Sequence, residues 1–215
     1  MSRSLKAFFL CAILTSATTV FAQINIVNFD FGAVPIACSW GYAYQGAETA
    51  CGAYGYPTQN FDQSPGFGWI MGGVASRHLA PTSLEGGAGL TGPNTIFYPP
   101  SFDGMPFHQA VLLQDVGSFV WQRLAGFNAG TYTLSFYLGS RYIDCCGYDG
   151  NQTVVALIDG TPIGSWALSS YTPFTLKTVT FTVSTGGNHT LSFMGTKPGD
   201  HTAFLSYVTI SQTGH

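Results

Sequence analysis

From Thr131 to Leu138 the chain alternates strictly, with Tyr132, Leu134, Phe136 and Leu138 set against Thr131, Thr133, Ser135 and Tyr137. A two-residue period sends successive side chains to opposite faces, so one face is dry and the other wet. Thr178–Val183 repeats the pattern with Val179, Phe181 and Val183, and Thr190–Phe193 with Leu191 and Phe193. These segments predict half-buried antiparallel strands. Further strands are expected at Ile24–Phe31, Trp69–Ala75, His108–Gln114, Ser118–Leu124, Thr153–Asp159, Pro162–Leu168 and Thr202–Ser211. Val154–Ile158 is apolar without alternation, which predicts a central strand covered on both faces. Asp159-Gly160 and Gly186-Gly187 read as hairpin turns. No dozen-residue window after the first 22 residues keeps apolar positions at helical spacing. The fold class is therefore all-β: many short strands with Gly-rich turns, a sandwich or a jelly roll. The Gly-, Tyr- and Ala-rich stretch at about residues 35–65 lacks periodicity and reads as a loop insertion carrying function.

The first 22 residues have a different character. Arg3 and Lys6 precede an apolar run, and Val20-Phe21-Ala22 supplies the small residues of a cleavage site, the three parts of a secretory signal peptide. The run is short for a membrane span, which needs about 20 residues. The expected mature protein is residues 23–215, a single domain that is secreted, extracellular, periplasmic or held at the cell surface. Only 8% of the 215 residues are charged, against about 25% in ordinary globular chains, and the net charge is -3. Without a concentrated positive field the chain is no nucleic-acid partner. Without the leader, Cys38, Cys51, Cys145 and Cys146 remain, an even number that favours disulfides in an exported protein. Two pairings are open: a local one, with Cys38 to Cys51 and a vicinal Cys145–Cys146 bridge, or one joining the two regions.

No nucleophile elbow, zinc helix or phosphate loop is present, and the five His show no ligand spacing. Asp144 and Asp149 flank the cysteine pair, but Asp is also an ordinary residue of a solvated turn. The expectation is therefore no enzyme and no cofactor. Material for sugar recognition is better supplied. Trp40, Tyr42, Tyr44, Tyr54 and Tyr56 crowd one loop, and Tyr142 and Tyr148 flank the cysteine pair. Such rings give rigid contact area with a hydrogen-bonding tip. Arg141 offers a planar fork for two hydroxyls or a carboxylate; an ion pair with Asp144 or Asp149 is the equal alternative. Trp121 and Trp166 are expected in the core. The ligand set is thus Trp40, Tyr42, Tyr44, Tyr54, Tyr56, Arg141, Tyr142, Tyr148 and Asp149, on two facing loops. Asn151-Gln-Thr153 and Asn188-His-Thr190 are glycosylation sequons.

The second half has a cadence: Gln122 to Phe136, then Arg141, Val154 to Gly160, Tyr171, His189 to Phe193 and Thr202 to Ile210. It resembles the galactose-binding-like jelly-roll domains of bacterial exported proteins and carbohydrate-binding modules, among them the DUF642-type wall-associated proteins. The resemblance covers Trp69 to Ser211, with Val27-Asn-Phe-Asp30 where that family opens its first strand. It implies a jelly roll, an Arg at position 141, and binding of sugars, lipid headgroups or proteins. Many relatives close on a strand whose Asp helps hold structural calcium. Here Ser206 and Tyr207 stand in place of that Asp-Asn pair, which weakens a site needing several oxygens and leaves Asp30 and Asp200 as remaining ligands. The resulting reading is a secreted, non-catalytic module that recognises extracellular polysaccharide or glycan, in an oligomeric state the sequence does not give. The alternatives are a structural or adhesive protein that binds other proteins, and a small glycoside hydrolase or lyase.

Overall fold

The structure, a computed structural model, describes residues 23–38, 41–46, 58–73, 87–93, 95, 99–142 and 149–214. The leader, the sequence-predicted site residues Trp40, Tyr54, Tyr56 and Tyr148, and Cys51, Cys145 and Cys146 lie outside them.

Thirteen strands and no helix are found among these residues: β1 (Gln23–Ile24), β2 (Tyr42–Gln45), β3 (Thr58–Gln59), β4 (Ile70–Gly72), β5 (Ala88–Thr91), β6 (Ala110–Gln114), β7 (Phe119–Phe127), β8 (Gly130–Ser140), β9 (Thr153–Ile158), β10 (Thr161–Ala167), β11 (Thr175–Val183), β12 (Gly187–Gly195) and β13 (Thr202–Gly214). They form a jelly-roll β-sandwich. One sheet runs β11-β8-β13-β6-β5-β2-β3 with β1 also on β13, and the other runs β10-β9-β12-β7-β4. All pairs are antiparallel except β2 with β3.

The alternating residues meet between the sheets. Tyr132, Leu134, Phe136 and Leu138 of β8 face Val154, Ala156, Leu191 and Phe193 of the five-stranded sheet, all buried. Phe136 lies 4.9 Å from both Phe193 and Trp166, edge to face. A second apolar cluster covers the other side of the larger sheet. Phe102 and Phe107, from the segment before β6, and Phe174, before β11, pack there with Tyr42, Tyr44, Leu112 and Phe204. This is why β6 and the first half of β13 are buried on both faces.

Several expectations change. Of Ile24–Phe31 only Ile24 pairs, with Gln23 before it, because Asn28 (φ 51°) and Phe31 (φ 59°) turn the chain and Phe31 N–H bonds Asn28 O. β9 is covered on one face only: Val155 and Leu157 point outward and are half-buried. Part of the 35–65 stretch is sheet rather than loop, since β2 pairs with β5 and β3. The approach there is close enough that a side chain on Gly89 would begin 2.2 Å from Ala43 O. The Asp159-Gly160 turn is as expected, two residues with φ 49° and 78° between β9 and β10. Cys38 is buried and disulfide-bonded, its partner lying outside the described residues.

Candidate functional site

Three strand ends converge on one rim of the sandwich, where β8 ends at Ser140, β6 ends at Gln114 and β13 begins at Thr202. The chain leaving β8 and the chain entering β13 bring Arg141 and Asp200 together. Arg141 Nη1 lies 3.3 Å from Asp200 Oδ1, the two side chains being 6% and 15% exposed. Gln114 Nε2 donates to the same oxygen, and the Tyr44 hydroxyl donates to Gln114 Oε1. A buried ion is tolerated only when paired and hydrogen-bonded, and this network supplies both. Arg141 is therefore a buried tie between strand ends. Its partner is Asp200, not Asp149, and Asp144 lies outside the described residues.

Above this tie the rim loops are stitched to one another. Thr202 N–H donates to Asp149 O (2.9 Å), and Arg141 N–H to Thr202 O (3.1 Å). Asp149 accepts from Asn151 N–H (2.8 Å) and Asn151 Nδ2 (2.6 Å), and bonds His201 Nδ1. Burial pushes the Asp149 carboxyl upward, but the Asn151 and His201 contacts outweigh it and hold the group below its ordinary value. Asn151 Oδ1 accepts from Ser170 N–H, and Ser140 Oγ from Thr172 N–H, which fixes the 169–172 turn against the end of β8. The buried Gln152 fastens the opposite side. Its Nε2 donates to His201 O, and its Oε1 takes the N–H groups of Thr153, Thr196 and Lys197.

On this frame stand two exposed rings. Tyr142 is 51% exposed and Tyr171 54%, with centroids 5.2 Å apart and planes at 85°. Tyr171 holds φ 57°, a conformation costly for an aromatic residue, and its N–H is tied to Arg141 O at 2.9 Å. The structure thus brings together the sequence-predicted Arg141, Tyr142 and Asp149, and adds Tyr171, Asn151 and Ser170. Tyr42 and Tyr44 do not join them as rings. Both are buried in the second cluster, so they offer no face to a ligand. Tyr171 stands in the sequence cadence and Asp200 among the expected cation ligands, but no local signal places either at this rim, because each reaches it from a distant part of the chain.

Asp30 and Asp200 do not make a cation site. Asp200 is committed to Arg141 and Gln114, while the exposed Asp30 carboxylate accepts from Gly32 N–H. The Ser206 hydroxyl lies 2.8 Å from Gln109 O and 3.2 Å from Asp30 O, and Gln109 Nε2 donates to Phe31 O and Val34 O. Hydrogen-bond donors thus already serve the carbonyls near the substituted strand position. A hard cation needs several free oxygens, and these residues do not fit one. No three His, Cys, Asp or Glu side chains cluster for a metal among the described residues.

Elsewhere, His189 links two hairpin ends: its Nδ1 is 2.5 Å from Asp159 Oδ2 and its Nε2 3.0 Å from Thr185 O. The Asp159 contact, working against burial, raises the His189 pKa; Asp159 is pushed up by burial but held low overall by Thr190 N–H and His189. No helix among the described residues is long and apolar enough to cross a membrane.

No protein-family profile matches the sequence, and no curated protein matches it. Solved structures do share the fold. A cyclase from Fischerella sp. TAU superposes with a TM-score of 0.59 at 15% identity, over 90% of this chain and 98% of that one. The Stig cyclase Fisc from the same organism, in complex with (3Z)-3-(1-methyl-2-pyrrolidinylidene)-3H-indole, gives 0.58 at 16% identity over 91% and 99%. A carbohydrate-binding module of Cellvibrio mixtus lichenase 5A, in complex with cellotriose, gives 0.39 at 15% identity over 54% and 84%. The likeness to the two cyclase structures supports the architecture and says nothing about the ligand.

Proposed function

We propose that this chain is an exported, non-catalytic glycan-binding domain whose sugar site is the rim formed by Tyr142, Tyr171 and the Asp149–Asn151 turn. The observation that carries the reading is the exposed ring pair held at about right angles on a hydrogen-bonded frame. One ring can cover the apolar face of a pyranose while the other closes its edge, at little entropic cost because the frame is already ordered. The Asp149 carboxylate, held ionised by Asn151 and His201, accepts hydrogen bonds from sugar hydroxyls. Arg141 contributes by positioning the loops.

Affinity electrophoresis of the purified protein through gels cast with neutral polysaccharides tests this. Truncating a central aromatic anchor typically costs about 2 kcal/mol, so Tyr142→Ala and Tyr171→Ala should each weaken retention by tenfold or more. Unchanged retention in the double variant overturns the site.

A second reading, an enzyme acting on a small molecule at this rim, is favoured by the Asp149–His201 carboxylate–imidazole contact and by a fold shared with cyclases over almost the whole chain. Turnover of an indole substrate that disappears in Asp149→Asn would establish it in place of the first.

A further inference from the structure

The outward face of the five-stranded sheet departs from the polar exterior of a sandwich. Register places Ile70, Trp121, Ser192 and Leu157 side by side across β4, β7, β12 and β9. One pair further along, Arg123 lies opposite Thr190, and on the other side Phe119 lies opposite Met194. Phe119, Trp121, Leu157, Thr190, Ser192 and Met194 line a groove of about 500 Å³. That volume falls within the range of small-ligand sites, about 300–1,000 Å³.

The charge on this face is specific. Arg123 is exposed, has no ion-pair partner among the described residues, and is accompanied only by uncharged outward side chains on the five strands. A lone cation in an acidic chain, two positions from an indole on the same face, makes this patch complementary to an anion that carries an apolar surface. The quartet Trp121, Ser192, Arg123 and Thr190 has sheet dimensions, about 4.8 Å between strands and about 6.7 Å along them. Those are the dimensions of one pyranose ring with a substituent one bond beyond it.

We propose that this quartet is a second ligand site, separate from the rim, which takes a hexuronate unit of an acidic glycan. The pyranose C–H face lies on Trp121. The carboxylate meets the Arg123 guanidinium, whose planar fork accommodates both oxygens. The Thr190 and Ser192 hydroxyls, which make no side-chain hydrogen bonds within the described protein, exchange hydrogen bonds with ring hydroxyls. The site does not depend on the rim reading.

The test uses the full mature chain in gels containing polygalacturonate, its fully methyl-esterified form, or dextran sulfate as a charge control. Retention by polygalacturonate should exceed that by the ester at least tenfold, since esterification removes the charge and keeps the ring. Arg123→Gln, at an exposed position that does not threaten folding, should abolish the difference. Trp121→Leu, which keeps the apolar wall, should weaken polygalacturonate retention by a comparable factor. The excess of acid over ester retention should persist in Tyr142→Ala and Tyr171→Ala, whatever those variants do to retention as a whole, which separates this site from the rim. Equal retention by acid and ester, full retention in Arg123→Gln, equal retention by dextran sulfate, or disappearance of the acid–ester difference in the Tyr142 variant would each overturn the proposal.

Discussion

Arg141→Ala removes the cation from a pair whose members are 6% and 15% exposed, and leaves the Asp200 carboxylate, still bonded by Gln114, without the guanidinium beside it. Breaking a buried pair from one side costs about 3–5 kcal/mol, because the surviving charge stays desolvated. That is a large part of the 5–15 kcal/mol typical of a whole domain. With a urea slope of about 1–3 kcal/mol per molar, the unfolding midpoint should fall by about 1 M or more. The double variant Arg141→Met with Asp200→Asn removes both charges and keeps the volume, so it should recover most of the loss. Equilibrium urea unfolding of the wild type, both single variants and the double variant gives the coupling directly. A single-variant loss under about 1 kcal/mol, or a double variant no more stable than either single, would refute a buried, coupled pair. The same reasoning makes Arg141→Ala a poor probe of ligand binding, since loosened loops and lost contacts weaken retention alike. Tyr142 and Tyr171, exposed on the surface, are the clean probes.

The Asp159–His189 contact gives stability a pH window. Asp159 sits below its ordinary 3.8, so its contribution is present above that value and lost as pH falls through the lowered pKa. His189 sits above its ordinary 6.5, so its contribution is complete below 6.5 and lost as pH rises through the raised pKa. Melting temperature should therefore be highest between these limits, and His189→Gln should flatten its alkaline side; superimposable profiles for the two proteins would reject the assignment. Gly89→Ala should destabilise by about 1–3 kcal/mol, since the added carbon meets the Ala43 carbonyl oxygen at 2.2 Å and backbone cannot move aside as a flexible side chain can. An unchanged thermal midpoint would show that β2 does not pack as closely on β5 as described.

Period-2 alternation was enough to identify β8, β11 and β12 and the face each buries, because a half-buried strand writes its environment into adjacent residues. Asp159-Gly160 was equally legible, since its left-handed conformations select those residue types. What the sequence could not decide was which side of a sheet acquires a second cover. Phe102, Phe107 and Phe174 close over the larger sheet and bury Tyr42 and Tyr44, while the smaller sheet leaves Trp121 half-exposed beside Arg123. Nor could it pair Arg141 with Asp200, or set Tyr171 beside Tyr142. Burial of an aromatic and the partner of a charge depend on residues far along the chain, 59 positions away for Arg141 and Asp200, brought within reach only when strands from both halves of the chain align.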